Sequence, residues 1–245
     1  MRYKVTIEYD GIPFVGWQKQ DNGLAVQECI ENAIFSLAQE KVIVFGAGRT
    51  DSGVHAVGQV AHFDIINKEF EEVVVTNALN NHLRPHPISI RKTEIVSEKF
   101  HSRFDAIERK YLYRVINRNT PLTFEKGRAW QVIKKLDINN MKNCIPFIIG
   151  KHDFSTFRSA HCQSESPIKT INDLKITQND DDIYFGICAR SFLHHQVRSI
   201  VGSLKMVGEG AWTPQDFQNV LNSKDRSRCG ALAPSDGLYF MEVKY

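Results

Sequence analysis

The sequence predicts a mixed α+β protein made of two ferredoxin-like units, each running β-α-β-β-α-β, whose sheets can join side by side and leave a cleft between them. Three observations lead there. Segments of strand and helix periodicity alternate in that order over residues 3–96. Residues 110–245 pass through the same order again. The two halves share no repeated sequence and no low-complexity linker, so only the topology is duplicated. The expected domains are residues 1–105 and 106–245.

The first strand is read from strict alternation. Tyr3, Val5, Ile7 and Tyr9 share one face, and Lys4, Thr6, Glu8 and Asp10 the other. Gly11 and Pro13 break it. Val26, Ile30, Ala33, Ile34 and Leu37 then recur at helical spacing, with Asp21 and Asn22 as candidate N-caps. Two apolar runs, 42–45 and 60–63, read as strands. Residues 70–83 carry a weaker helical pattern that ends before Pro85 and Pro87, and 88–96 is the next strand.

In the second half, 110–117 alternates as a strand, with Tyr111, Tyr113 and Val115 on one face. Residues 137–149 begin as a helix that Pro146 interrupts. Residues 168–177 and 182–190 read as strands across the turn Asn179-Asp180-Asp181. Leu193, Val197, Ile200, Val201 and Leu204 mark an amphipathic helix. A short helix after Pro214 and a strand over 238–245 close the chain.

The stretch between the runs 42–45 and 60–63 is too rich in glycine for an ordinary hairpin: Gly46, Gly48, Gly53 and Gly58 lie in or beside it. Glycine is used where φ is positive or another backbone comes close. Arg49 and Asp51 stand in its middle, a cation and an anion on a loop held by strands at both ends. Such loops carry a disproportionate share of binding and catalytic residues, although a solvated Arg and Asp on a surface loop fit the composition equally well.

At 245 residues, 42% hydrophobic and 24% charged, the composition is that of a globular protein. No apolar run reaches the roughly 18 residues needed to cross a bilayer, and the first residues enter strand alternation with no signal-peptide core. The five cysteines, at 29, 144, 162, 188 and 229, are odd in number and form no C-x-x-C pair. A reducing, cytoplasmic setting without disulfides or a zinc site is expected. A net charge of +3 and a pI near 8.5 do not by themselves demand a polyanion. Basic residues nevertheless cluster at Arg103, Arg109, Lys110, Arg114 and Arg118. His194 and His195, adjacent on a helix, would point their rings about 100° apart, which is poor metal-ligand geometry.

Six ordered blocks resemble one family. GAGRTDSGVHAVGQVAHF is similar to the G-R-T-D-[AS]-G-V-H-A-x-G-Q-V motif of the tRNA pseudouridine synthase A (TruA) family. IEYDGIPFVGWQKQ resembles that family's opening strand, and FHSRFDAIERKYLYRV its F-H-A-R-F-S-A…R-x-Y-x-Y stretch. GKHDFSTF, SFLHHQVRSIVGSL and GLYFMEVKY resemble the later blocks. The departures are Gln196 and Ser199 where methionine and asparagine are common, Asp105 after Phe104, and Glu165 and Ile168 in the block that commonly reads C-Q-S-R-T-P. They fall outside the charged core of each motif and bear on RNA contacts around 163–170.

The resemblance implies the pseudouridine synthase fold, with one extended, mainly antiparallel sheet and a central cleft. It implies isomerisation of uridine to pseudouridine at positions 38, 39 and 40 of the tRNA anticodon stem-loop, by a homodimer and without metal or cofactor. Asp51 becomes the carboxylate nucleophile. Burial would raise its pKa, so a nearby cation is called for; the family match supplies Arg198. Tyr111 matches the tyrosine that stacks on the target base and can take part in proton transfer. Tyr113 is then the structural one of the pair. Arg49 matches the arginine that takes part in flipping the base. Leu238 falls in the block that lines the uracil pocket. Lys110 and Arg103, with Arg109 and Arg114, are candidate phosphate contacts.

Two rival readings stay open: the same fold acting on another RNA, and a tRNA-binding chaperone without chemistry. A phosphate-binding loop is disfavoured because no G-K-[ST] follows the glycines.

Overall fold

A computed structural model describes all residues 1–245. The strands are β1 (Arg2–Tyr9), β2 (Phe45–Gly46), β3 (His55–Asp64), β4 (Ile88–Val96), β5 (Glu108–Ile116), β6 (Trp130–Gln131), β7 (Gly150–Asp153), β8 (Ile168–Asn179), β9 (Asp182–Ala189) and β10 (Leu238–Lys244). The helices are α1 (Val26–Ala38), α2 (Glu72–His82), α3 (Ile138–Lys142), α4 (Ile145–Ile148), α5 (Gln196–Gly208) and α6 (Pro214–Ser223). No helix is long and apolar enough to cross a membrane. The chain divides into two compact units, Met1–Ile107 with Tyr239–Tyr245, and Glu108–Leu238. Residues 239–245, read from sequence with the second half, thus group with the first.

In the first unit β1 lies between β4 and β3 and is antiparallel to both, and β2 pairs antiparallel with β3. That is the ferredoxin-like order β4-β1-β3-β2. The alternation of β1 is kept, with Tyr3, Val5, Ile7 and Tyr9 buried. Helix α1 buries Val26, Ile30, Ala33 and Ile34, and α2 buries Val75 and Leu79. β10 adds a parallel pairing to β3 through Tyr239↔His55 and Phe240↔Ala56.

Two expectations are corrected here. Residues 42–44 form no strand. The backbone of Val44 is instead satisfied by side chains of α1: its N–H donates to Glu31 Oε1 at 3.1 Å, and its carbonyl accepts from Gln27 Nε2 at 3.2 Å. With those groups spoken for, pairing shrinks to Phe45–Gly46. Helix α1 is not capped by Asp21 or Asn22 either. Its N-cap is Ala25, and the first amides donate to the main chain, Val26 to Gly16 O at 3.2 Å and Gln27 to Trp17 O at 2.9 Å.

In the second unit β5, β9, β8 and β7 follow one another as antiparallel neighbours, and the two-residue β6 lies parallel to β5. The expected helix over 137–149 is two short ones. Asp137 caps α3 by accepting from Asn140 N, and Pro146 sits in the first turn of α4, where its missing N–H costs nothing. Helix α5 is buried along most of its length, and its Gly202 lets the chain at Ala231 pass close: a Cβ there would lie 1.8 Å from the Ala231 carbonyl oxygen. Strands β6 and β7, of two and four residues, escape the sequence because neither is long enough to show alternation.

Candidate active site

The glycine loop of the first unit is a braced structure. A second segment, residues 10–25, runs alongside it. Trp17 N–H donates to Thr50 O at 3.0 Å, and Asp51 forms an isolated antiparallel bridge with Gly16. Gly16 has φ +123°, and a Cβ there would stand 2.7 Å from the Thr50 carbonyl oxygen, so no other residue fits without moving the loop. Ser52 Oγ donates to Phe14 O at 3.2 Å. From the opposite side Gln59 Nε2 donates to Gly48 O at 2.7 Å, and the Val54 amide closes the turn onto Asp51 O.

The side chains alternate in exposure across this turn. Arg49 is exposed, Thr50 buried and Asp51 half-buried. The Thr50 hydroxyl lies 2.8 Å from the Tyr9 hydroxyl at a buried contact. Burial holds the Tyr9 phenol far above its ordinary pKa, against the opposing pull of its hydrogen bonds to Thr50 and Gln59, so it stays protonated. The loop's backbone and its threonine are therefore clamped, and Arg49 and Asp51 are presented from a rigid base. Just beyond, His55 Nδ1 accepts from Gly11 N at 3.1 Å, lies 3.2 Å from Asp10, and its ring stacks on Tyr239.

In the second unit Tyr111 and Tyr113 sit on the same face of β5, as the alternation requires. Tyr111 is 8% exposed and meets Phe192 edge to face at 5.2 Å. Tyr113 is fully buried, donates its hydroxyl to Pro234 O at 2.7 Å and meets Trp130 edge to face. Gly237 leaves room for that ring: a Cβ would come within 2.8 Å of it. Leu238 follows and is buried.

Arg198 lies in the first turn of α5, half-buried, with Nε donating to Ala233 O at 2.7 Å. His194 and His195 do not lie on that helix. His195 is its N-cap residue with φ +67°, and the centres of the two rings lie 3.9 Å apart. Of the family departures, Ser199 is buried and its hydroxyl accepts from Arg226 at 2.7 Å, while Gln196 Oε1 accepts from Leu193 N at 2.7 Å. Both serve the packing of α5.

The basic cluster separates by environment. Lys110 is exposed on β5. Arg103, in the first unit, is exposed with its guanidinium 5.7 Å from the Phe104 ring centre. Arg114 is half-buried and held in ion pairs: it bonds Asp182 at 2.7 Å and Glu125, and against the opposing effect of burial these carboxylates hold its pKa above the ordinary value. Arg109 is buried and donates to Arg190 O. The phosphate role expected of these two is thus corrected. Sequence reasoning also missed Tyr9, Gly16 and Gln59 as parts of the site. All three fall in blocks that carry the family resemblance, but their partners, Thr50 for Tyr9 and Gly16 and Gly48 for Gln59, lie elsewhere in the chain and no local pattern announces them.

A family model described as tRNA pseudouridine synthase matches residues 5–105 and 147–245. The chain is 52% identical over 246 residues to "tRNA pseudouridine synthase A" of Ehrlichia chaffeensis, covering all of both chains. It is 51% identical over 244 residues to the protein of that name from Afipia carboxidovorans, and 49% over 244 residues to that from Parvibaculum lavamentivorans; each match covers all of this chain and 99% of the relative. Lys110 and Tyr111 fall outside the family-model match and inside the full-length alignments.

Proposed function

The chain belongs to the tRNA pseudouridine synthases, isomerases of uridine in tRNA, and from that premise we propose that it modifies positions 38, 39 and 40 of the anticodon stem-loop with Asp51 as nucleophile. The observation that carries this reading is the clamped Arg49–Thr50–Asp51 turn, which presents a carboxylate from a loop that cannot drift.

The reaction breaks the bond from uracil N1 to the ribose and makes one from C5, with N1 gaining a proton and C5 losing one. Nothing is oxidised and no group is imported, so the reading calls for no cofactor. A carboxylate can take part covalently only while ionised. Arg198 supplies the cation in this reading; its Nε is tied to Ala233 O, which fixes the guanidinium at the start of α5. Tyr111 offers a ring face to the target base and a phenol for the proton leaving C5. Its place on β5, buried with its ring edge to face against Phe192, supports this role. Arg49 attends base flipping, which a base inside a stem requires. Leu238 lines the uracil site, and Lys110 and Arg103 meet phosphates. The active form is a cytoplasmic homodimer.

Chemical mapping of pseudouridine by reverse-transcription stops, on unmodified tRNA incubated with the protein, tests the assignment. Stops at positions 38–40 are expected. Stops confined to other positions, or found only in another RNA, would replace it.

A further inference from the structure

A row of rings lies at the other end of the β2–β3 pairing, away from the Asp51 turn. Phe45 faces His62 across the strand register, with centroids 5.1 Å apart and planes 19° from parallel. His101 lies 5.7 Å from Phe45 and 4.7 Å from His62, and Phe104 lies 4.3 Å from His101. Arg103 covers Phe104 at 5.7 Å. The row is not a closed core: Phe45 is 45% exposed and Phe104 67%.

Hydrogen bonds fix it in place. Ser102 Oγ donates to Phe45 O at 2.6 Å, Ser102 N donates to His62 Nδ1 at 3.2 Å, and His101 N donates to Asp105 Oδ2 at 2.8 Å. A ring nitrogen that accepts an amide hydrogen carries no proton of its own, so His62 is neutral. Its burial, helped by His101, lowers its pKa to about 4. Flat π-faces with a guanidinium at the rim are suited to an unpaired base and its phosphate. A purely apolar partner would match the ring faces but not the cation at their rim.

We propose that Phe45 and Phe104, the exposed rings of a row held from beneath by the buried His62 and by His101, form a second nucleotide-binding place, on which an unpaired base of the tRNA stacks with Arg103 at its phosphate. The proposal rests on the reading of tRNA as the substrate. From His55 to His62, β3 advances roughly 23 Å at about 3.3 Å per residue, so the stacked nucleotide is not the reacting one. The row grips the tRNA away from the chemistry.

The test is binding of a full-length tRNA transcript by wild type, Phe104→Ala, Phe104→Trp and, as a control, Phe124→Ala, whose ring is 91% exposed in the second unit. Phe104→Ala is expected to weaken binding roughly 5- to 150-fold, the effect of losing one stacked base. Phe104→Trp should bind like wild type, with tryptophan fluorescence quenched by tRNA beyond the wild-type change. Phe124→Ala should leave affinity unchanged. Equal affinity of Phe104→Ala and wild type would overturn the proposal. So would a loss of affinity that comes with a changed sedimentation mass of the free protein, since the row would then join two copies. Tritium release from [5-³H]uridine tRNA by the wild type is read in parallel. If release occurs and Phe104→Ala binds normally, only the second nucleotide place falls. If there is no release and Phe104→Ala binds weakly, only the catalytic reading falls.

Discussion

The Tyr9 hydroxyl lies 2.8 Å from the Thr50 hydroxyl, buried beneath the turn that carries Asp51. Replacing Tyr9 with phenylalanine leaves the buried Thr50 hydroxyl without this partner, at a cost of about 1–3 kcal/mol. A turn freed by even a fraction of an ångström misplaces a nucleophile, and such errors cost up to roughly 100-fold in rate. Tyr9→Phe is expected to lower unfolding stability by that amount. Its single-turnover tritium release should slow roughly 10- to 100-fold, with tRNA affinity kept. A variant as fast as wild type would show that the clamp has no part in catalysis.

The two tyrosines of β5 are predicted to behave in opposite ways. Tyr113 donates to Pro234 O from a fully buried position. Tyr113→Phe therefore costs about 1–3 kcal/mol of stability and leaves turnover at saturating tRNA nearly intact. Tyr111→Phe keeps the ring against Phe192 and loses the phenol. It should bind tRNA and lose at least about 100-fold in tritium release. Denaturant titration beside single-turnover kinetics checks both, and exchanged outcomes would exchange the roles.

His62 makes stability depend on pH. Its folded pKa is lowered to about 4 from the ordinary 6.5, chiefly by burial. Between those values the unfolded chain binds more protons than the native one, so stability rises with pH. The contribution is complete above about 6.5 and is lost as pH falls toward 4. His62→Asn retains an acceptor near Nδ1 and cannot titrate. Stability of wild type should therefore fall more steeply than that of His62→Asn between pH 7 and 5, measured by urea midpoints. Parallel curves would show that His62 titrates normally.

Lys110 and Arg114 separate phosphate contact from scaffolding. Lys110 is exposed, whereas Arg114 is engaged by Asp182 and Glu125. Lys110→Ala should reduce the slope of log affinity against log salt by about one and leave stability unchanged. Arg114→Ala should do the reverse, losing stability because two carboxylates are left without their cation. Salt titrations of tRNA binding measure the first, and thermal unfolding the second.

Most of the fold was legible wherever one face of an element is apolar. The alternation of β1 and β5 and the stripe of α5 gave strand, helix and buried face directly. What stayed hidden depends on partners distant in the chain. The run 42–45 looks like a strand, yet Glu31 and Gln27 claim the backbone of Val44. The cap of α1 comes from Gly16 and Trp17 carbonyls, which no local motif announces. The last strand joins the first unit by pairing with β3, a choice apolar periodicity does not encode. At the site, the glycines and the Arg49–Asp51 pair stood out because glycine at close approaches is a sequence signal. Tyr9 did not, since alternation reads it as one more core residue.

The most direct test of the account is tritium release from tRNA carrying [5-³H]uridine, with wild type and Asp51→Asn side by side and tRNA binding measured for both. The C5 hydrogen leaves only when C5 becomes the glycosidic carbon. Release by wild type and none by a folded, tRNA-binding Asp51→Asn is the predicted result. Release by both would contradict the role of Asp51, and tRNA binding without release by either would leave an RNA-binding protein with no chemistry.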